Sequence, residues 1–321
     1  MQKHFKLKTT KIRILIVMIL FAMTGYLVVN VRMEYFQYAM QLRVPKLIVM
    51  LITAFCIGSA SIVFQSIIHN TIVTPCLLGM NSLYTLIHTS VVFFLGSSSL
   101  FARNSNIAFA VDIVLMGMVS TVIYSYLFKK TKYNVLYVLL TGTIMTTFFT
   151  SIQTTLTRIM DPNEYDSLLT TLVASFSNVN ANIILVSLVL IAGVVLFLRK
   201  DLALLDVITL GKDQAINLGV DYDQTIRRLL LGVTLFISIA TAMVGPISFL
   251  GLIIANLSRQ LFQTYKHSYL ITGSALIGML ILVGGQLVTE HIFAYSMPIS
   301  VFITFGGGIY FLYLILKQRR C

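Results

Sequence analysis

Apolar runs of about 20 residues, separated by short polar stretches, make up most of the chain. A run of that length can cross a hydrocarbon core of roughly 30 Å as one α-helix. The runs lie at about 12–31, 46–66, 77–95, 107–128, 135–157, 181–198, 269–288 and 297–316, and a further apolar region covers 228–263. This pattern predicts an all-α, polytopic integral membrane protein with a single transmembrane domain over residues 1–321.

The region 228–263 is either one crossing or two short crossings, because Gly245 and Pro246 interrupt it. Short cytoplasmic loops carry an excess of Lys and Arg. With ten spans and the N-terminus inside, 18 of the 23 Lys and Arg residues lie inside and 5 outside, whereas nine spans give 13 and 10. We therefore predict about ten spans, both termini in the cytoplasm, and a turn-back at Gly245 and Pro246. Non-helical backbone at membrane depth needs protein or a water-filled cavity around it, so this turn should face a path.

Composition supports a membrane protein, with 57% hydrophobic residues, 11% charged residues and a mean hydropathy of +0.90. Most of the net charge of +12 falls on the predicted inner loops, where it faces anionic lipid, so it does not indicate nucleic-acid binding. The three cysteines show neither paired spacing nor nearby histidines, so we expect no disulfide framework and no metal site.

The chemistry of the chain points away from an enzyme. A GxxxxGK[ST] phosphate-binding loop is absent from the sequence, so we expect no nucleotide binding by this chain itself and no cofactor. An ion-coupled carrier would normally keep an ionisable side chain at mid-membrane. Asp112 and Glu290 are predicted near the ends of their spans, which supports ion coupling only weakly.

The longest polar interruption, residues 199–228, contains "LGKDQAINLGVDYDQTIRR" from Leu210 onward. If this stretch is helical, Leu210, Ala215, Leu218 and, less regularly, Val220 form a narrow apolar stripe. Such a cytoplasmic helix can present one face to a soluble partner.

Five motifs in order resemble those of FecCD-type permeases, the membrane subunits of ABC importers for iron-siderophores, haem and cobalamin. They are "LRVPK" (LRxPR), "FQSIIHNTIVTPCLLGMNS" (QxxxxNPLAxPxxLGxxxGA), "LGKDQAINLGV" (LGxxxAxxLGV), "GPISFLGLIIANLSR" (GPIxFxGLxxPHxxR) and "MPISVFITFGGGIYFLYLI" (PxGxxTxxxGxPxFxxLL). The sequence departs from these patterns at Thr71, at Ala255 and Asn256, and at Gly306–Gly308.

The resemblance implies a type II ABC importer permease fold in the cytoplasmic membrane, acting as a dimer with an identical or related second permease. It also implies an extracytoplasmic siderophore-binding protein on one side and two ATPase subunits on the other. "GLIIANLSRQL" and "GGQLVTEHIF" are most similar to permeases for catecholate-type siderophores, so an iron-siderophore is the expected cargo. A haem or cobalamin permease and an ion-coupled secondary transporter are the alternatives.

Site residues follow from the resemblance, position by position. ATPase coupling within 199–228 is expected at Gly211, Ala215, Leu218 and Gly219. Binding-protein docking is expected at Arg43 and Lys46, with His291 as the nearest candidate for a third contact. A translocation path is expected along Gln65, Asn70, Pro75, Gly79, Gly245, Pro246, Gly251 and Asn256.

Structural roles that have no part in transport also fit the same residues. Arg43 and Lys46 can anchor a span at the lipid headgroups, and a lone histidine such as His291 is often structural. Gln65 and Asn70 can serve only as hydrogen-bonding groups between helices, and Gly245 and Gly251 can serve only close helix packing. The sequence leaves both sets of roles open.

Overall fold

The computed structural model describes residues 2–99, 104–131, 135–176, 181–294 and 297–318, and within this part all regular secondary structure is helical. The α-helices are α1 (Gln2–Val28), α2 (Phe36–Ile68), α3 (Met80–Leu95), α4 (Ser105–Thr131), α5 (Val135–Ile159), α6 (Pro162–Leu172), α7 (Ala181–Ile208), α8 (Lys212–Asn217), α9 (Tyr222–Val244), α10 (Leu250–Phe262), α11 (His267–His291) and α12 (Ile299–Gln318). Short 3-10 helices cover Met33–Tyr35 and Pro75–Leu78. The predicted all-α fold is confirmed.

Seven helices in the described part are long and apolar enough to span a membrane. These candidate spans are Lys8–Val28, Met33–Ile68, Asn106–Ile123, Asn182–Ile208, Tyr222–Val244, His267–His291 and Ile299–Leu316. Two shorter apolar helices, α3 and α10, correspond to two more of the predicted runs. The run at 135–157 is helix α5, whose many hydroxyl side chains lower its hydropathy.

Helix α2 forms the centre of the bundle. In its most apolar stretch 83% of the residues are buried, against 17% in the corresponding stretches of α1 and α12. Small residues bring α11 close to α2, because Gly58 faces Ser274 and Ala275 and Gly278 faces Ala54. The order of these contacts along the two helices makes α2 and α11 antiparallel.

The helix ends define two ends of the bundle. Ser66 in the last turn of α2 contacts both His267, the first residue of α11, and Arg259 in the last turn of α10. His267 also contacts Asp206 near the end of α7. We call this the Arg259 end, and we call the opposite end, where α11 finishes, the Glu290 end.

The chain turns back between α9 and α10, as predicted. Helix α9 runs antiparallel to α7, because Arg228 near its start pairs with Asp201 and Gly232 lies against Leu198, so α9 leaves the Arg259 end. Helix α10 returns to that same end at Arg259. The turn needs Gly245, whose φ of 93° and ψ of 177° are suited to glycine alone.

Two elements differ from the sequence prediction. Helix α2 begins at Phe36 rather than near residue 46, so "LRVPK" lies inside the helix and not before it. Helix α6 was not predicted, although its signals are present. Asp161 caps its N-terminus by accepting a hydrogen bond from the Asn163 amide at 2.9 Å, and Pro162 occupies the first helical position.

Candidate functional site

Three of the predicted path residues meet around one backbone carbonyl at the Arg259 end. The Thr71 oxygen accepts hydrogen bonds from Gln65 Nε2 at 2.7 Å and from Asn256 Nδ2 at 2.9 Å. Asn70 stands beside it, and its side-chain oxygen accepts from the Ile72 amide at 2.8 Å. In this conformation these residues connect α2, α10 and the segment after α2, and their role as path residues stays a prediction.

Asn256 replaces the histidine of the resembled motif and is buried. Its amide nitrogen donates to Thr71 O and also to Leu252 O at 3.0 Å, one turn earlier in α10. Both of its N–H groups are therefore used within the protein. The asparagine thus joins the end of α10 to the segment after α2 through neutral hydrogen bonds.

The predicted path glycines are buried at close helix contacts. A Cβ at Gly251 would overlap Ser61 Oγ of α2, and a Cβ at Gly245 would lie 2.9 Å from Ala174 Cα. Gly79 has φ of 100° and faces Thr146 of α5. Pro75 is also buried, whereas Pro246 is half-buried in the turn. Close packing is therefore what these glycines provide in this structure, and lining a path stays a prediction for them.

A stripe of hydroxyl side chains on α5 was missed by the sequence reasoning. It lines an open cavity of about 660 Å³ on the surface of the chain. We call it the hydroxyl stripe; its members are Thr146, Thr147, Thr150, Ser151, Thr154 and Thr155, and Arg158 also lines the cavity. The signal was present in the sequence, because pairs of Ser or Thr recur every four residues from position 146 and so fall on one helical face.

The threonine hydroxyl protons of the stripe are bound within α5. Thr146, Thr150, Thr154 and Thr155 each donate from Oγ1 to the carbonyl four residues earlier, at 2.7–2.9 Å. This back-bonding leaves the oxygen lone pairs facing outward. The stripe is therefore a polar but weakly interacting surface, with Arg158 as the one cation among its lining residues.

Tyr26 connects two of the predicted docking residues, Arg43 and His291, at the Glu290 end. Arg43 Nη1 donates to the carbonyl oxygens of Tyr26 at 2.8 Å and Val29 at 2.9 Å, where α1 ends. The Tyr26 hydroxyl contacts Glu290 Oε1 at 3.1 Å, and His291 follows Glu290 on the exposed surface. Lys46, one turn after Arg43 on α2, is half-buried. Docking by these residues stays a prediction.

Asp112 lies deeper in its helix than the sequence suggested. Helix α4 begins at Ser105, so Asp112 is about 10 Å from the helix start at roughly 1.5 Å per residue. Its carboxylate contacts His88 Nε2 of α3 at 2.9 Å, and the His88 ring packs against Tyr84 with 4.4 Å between centroids. A buried His–Asp pair therefore joins α3 and α4.

The segment 199–228 contains three helical pieces instead of one long helix. Helix α7 continues to Ile208, α8 is short, and α9 begins at Tyr222. Gly211 and Gly219 flank α8 with φ of 107° and 81°. The turns on either side of α8 therefore use glycine conformations, as the bracketing glycines suggested.

Two residues of the predicted apolar stripe, Leu210 and Leu218, are exposed by 54% and 63%, whereas Ala215 is fully buried and Ile216 is 50% exposed. A role of Ala215 in ATPase coupling stays a prediction. Ile216 takes the place expected for Ala215. The reason is that α8 spans only six residues, and its contacts with α7 and α9, rather than periodicity, decide which side is buried.

Comparisons with known proteins agree with this architecture. A model described as the FecCD transport family matches residues 9–317. The petrobactin import system permease protein YclO of Bacillus subtilis (strain 168) is 39% identical over 283 residues, covering 88% of this chain and 90% of that protein. The petrobactin import system permease protein FatC of Bacillus anthracis is 35% identical over 279 residues, covering 86% and 78%.

The fold also matches a solved structure. A metal-chelate type ABC transporter in an inward-facing conformation aligns over 97% of this chain and 99% of its own, with a TM-score of 0.82 and 22% sequence identity. At that identity the likeness concerns the fold.

Proposed function

The chain belongs to the FecCD transport family, and from that membership we propose that it is the permease subunit of an ABC importer for an iron-siderophore complex. One observation carries the cargo class: two petrobactin permeases are 39% and 35% identical to the chain over more than four fifths of its length. This identity favours a siderophore over haem or cobalamin. It also favours an ATP-driven permease over an ion-coupled carrier.

For the topology, we propose ten crossings with both termini in the cytoplasm. The seven long apolar helices, the two shorter apolar helices α3 and α10, and the hydroxyl-rich helix α5 together supply ten. The Arg259 end is then cytoplasmic. Lys8 and Lys11 near the N-terminus support this, because they contact Thr264 and the Leu261 carbonyl at that end.

For the path, we propose that the hydroxyl stripe of α5 lines it and faces a second permease subunit. A row of hydroxyl groups gains nothing from contact with lipid chains, and its back-bonded protons make it a wall that does not retain cargo. Gly79 lies against Thr146, so the predicted path segment around Pro75 and Gly79 adjoins the stripe. The half-buried Pro246 marks the turn that was predicted to face the path.

For the partners, we propose that ATPase subunits dock on the coupling segment 199–228, with Ile216 and Leu218 as apolar contacts. The siderophore-binding protein docks at the Glu290 end, near Arg43, Lys46 and His291. Transport then needs no covalent chemistry from this chain. ATP binding closes the two ATPase subunits, and this closure moves the coupling segment. The path then closes on one side of the membrane and opens on the other.

Uptake by reconstituted vesicles tests the proposal. The chain is co-expressed with its candidate second permease and ATPase, placed in proteoliposomes, and supplied with binding protein and radiolabelled ferric petrobactin. We expect uptake only when ATP is present on the side of the membrane that carries the ATPase subunits. Uptake should be lost when the catalytic glutamate of the ATPase is changed to Gln. Uptake by the chain alone in response to an ion gradient contradicts the proposal.

The cargo is tested separately from the mechanism. A strain lacking this gene is grown with one ferric siderophore, haem or cobalamin as the limiting nutrient. We expect a growth defect on a siderophore, with normal growth on haem and cobalamin. A defect confined to haem or cobalamin keeps the permease assignment and overturns the cargo.

A further inference from the structure

A hydrogen-bonded cluster with buried Ser66 and His267 at its centre joins four helices at the Arg259 end. Asp206 Oδ1, near the end of α7, accepts from the His267 amide at 2.9 Å and contacts His267 Nδ1 at 2.5 Å. His267 Nε2 lies 2.9 Å from Ser66 Oγ of α2. Arg259 of α10 donates to Ser66 Oγ at 3.1 Å and to Gln65 Oε1 at 3.3 Å. The ends of α2, α7 and α10 and the start of α11 are therefore held by one set of side chains.

Ser66 is the central member of the cluster and has three polar partners. Its hydroxyl has one proton and two lone pairs. It donates to the Ile62 carbonyl at 2.8 Å and is contacted by Arg259 Nη2 and His267 Nε2. Ser66 and His267 are each only 4% exposed, so water has little access to replace a lost partner. A displacement of Asp206 must therefore either carry His267 and Ser66 with it or leave buried polar groups unpaired.

A movement of the coupling segment would reach the cluster at Asp206. It lies in the last turn of α7, five residues before Gly211, and α8 follows directly. In the proposed function this segment receives the movement of the ATPase. Asp206 is thus a connection between the coupling segment and the buried ends of α2 and α10.

The other side of the cluster leads towards the hydroxyl stripe. Gln65 accepts from Arg259 and donates to the Thr71 carbonyl at 2.7 Å, in the segment that follows α2. That segment ends at Gly79, which lies against Thr146 at the start of the stripe. A continuous series of contacts therefore runs from Asp206 to the wall of the proposed path.

We propose that Asp206, His267 and Ser66 are positioning residues that transmit the movement of the coupling segment to the path. This proposal rests on the proposed function. Buried polar clusters contribute little to net stability when compared with apolar packing, but they can fix one arrangement against another. Coupling between sites needs an element that both sites bias, and this cluster has the coupling segment on one side and the path segment on the other.

The chain offers a matched control in the pair of His88 and Asp112. His88 Nε2 of α3 contacts Asp112 Oδ2 of α4 at 2.9 Å. Both residues lie outside the coupling segment, and among the described hydrogen bonds neither side chain joins α2, α7, α10 or α11. Replacing His88 therefore breaks a contact of the same kind without touching the proposed series of contacts.

The experiment measures cargo transported per ATP hydrolysed by the complete complex in proteoliposomes. We expect Asp206→Ala and His267→Ala each to lower this ratio by about fivefold or more, while ATP hydrolysis and complex assembly are kept. The double variant should be no worse than either single variant, because both break the same connection. His88→Ala should leave the ratio unchanged.

An unchanged ratio in His267→Ala overturns the relay, whether uptake and ATP hydrolysis are both retained or both fall equally. If His267→Ala does not assemble, Ser66→Ala, which removes a single oxygen atom, is measured in the same way and an unchanged ratio has the same meaning. A wild-type complex without ATP-dependent uptake overturns the proposed function, whereas wild-type uptake with unchanged variant ratios overturns only the relay.

Discussion

Arg43 of α2 binds the end of α1 through Tyr26. Its Nη1 donates to the Tyr26 carbonyl at 2.8 Å, and its guanidinium carbon lies 5.8 Å from the centroid of the Tyr26 ring. Two further carbonyls, of Leu27 and Val29, lie at 3.3 and 2.9 Å from the same nitrogen. The last carbonyls of a helix lack intrahelical partners, so Arg43 acts as a cap for α1.

Substitutions of Arg43 can distinguish a role in permease stability from a role in docking the binding protein. Arg43→Lys keeps the positive charge but cannot reproduce the planar guanidinium contact with several carbonyls. We expect the variant to lose about 1–3 kcal/mol of stability, measured as a lower unfolding temperature of the purified permease. Affinity for the binding protein should persist if docking depends on charge alone.

Arg43→Gln removes the charge as well and serves as the paired variant. If it binds the binding protein as well as Arg43→Lys does, the docking prediction for this residue is wrong. If both variants keep the wild-type unfolding temperature, the capping role is wrong instead.

Gly251 of α10 packs against Ser61 of α2 so closely that a methyl group has no room. A Cβ at Gly251 would overlap Ser61 Oγ and would lie 3.2 Å from Ser61 Cβ. We expect Gly251→Ala to lower the unfolding temperature, since overpacking a core costs about 1–3 kcal/mol. Gly284→Ala is the control, because open space surrounds the corresponding position on α11.

A second substitution tests the cause of that loss. Ser61→Ala removes the oxygen atom that the new methyl group would meet. The double variant Ser61→Ala with Gly251→Ala should therefore recover part of the lost stability. Equal stability losses in the single and double variants contradict this explanation.

The turn at Gly245 and Pro246 could be predicted because both of its signals lie in the sequence itself. Glycine and proline end a helix through their own backbone properties, and the placement of Lys and Arg favours a second crossing. The capping role of Arg43 could not be found in this way. It depends on how α1 packs against α2, and a cation at the start of a span looks the same whether it faces solvent, lipid or a helix end.

The coupling segment shows why periodicity did not predict which side chains are exposed. Periodicity over "LGKDQAINLGV" suggested Ala215 on the outward face, but α8 has only six residues between Gly211 and Gly219. A helix of less than two turns has no well-defined face of its own. Packing against α7 and α9 buries Ala215, and Ile216 is exposed as a result.

Ile216 and Ala215 should therefore respond differently to substitution. Ile216→Glu places a charge at the proposed ATPase contact, where burial of an unpaired carboxylate is unfavourable. We expect it to abolish copurification of the ATPase while the unfolding temperature of the permease is retained. Gln263→Glu is the control, because it introduces the same charge at an exposed position after α10, outside the coupling segment.

Ala215→Leu should show the reverse result. The residue is fully buried, so the larger side chain should lower the unfolding temperature by overpacking. Normal ATPase binding by Ile216→Glu contradicts the proposed contact, whatever the behaviour of Ala215→Leu.

Substitutions in the hydroxyl stripe test directly whether it lines the path. Thr154 is exposed in the middle of the stripe, and its Oγ1 donates to the Thr150 carbonyl at 2.7 Å. Thr154→Val keeps the shape and loses only the hydroxyl, so a wall that interacts weakly with cargo should lose little uptake. Thr154→Phe adds bulk to the same wall, and we expect uptake to fall by about tenfold while ATP hydrolysis continues.

The control for added bulk is Leu185→Phe, at an exposed apolar position of α7 that is outside the stripe and is 70% exposed. It should transport normally, because the lipid around a span adapts to a larger side chain whereas a path of fixed width does not. Normal uptake by Thr154→Phe would show that α5 faces lipid or an inert surface, and the path would then have to be sought along the buried residues around Gly79 and Gly251.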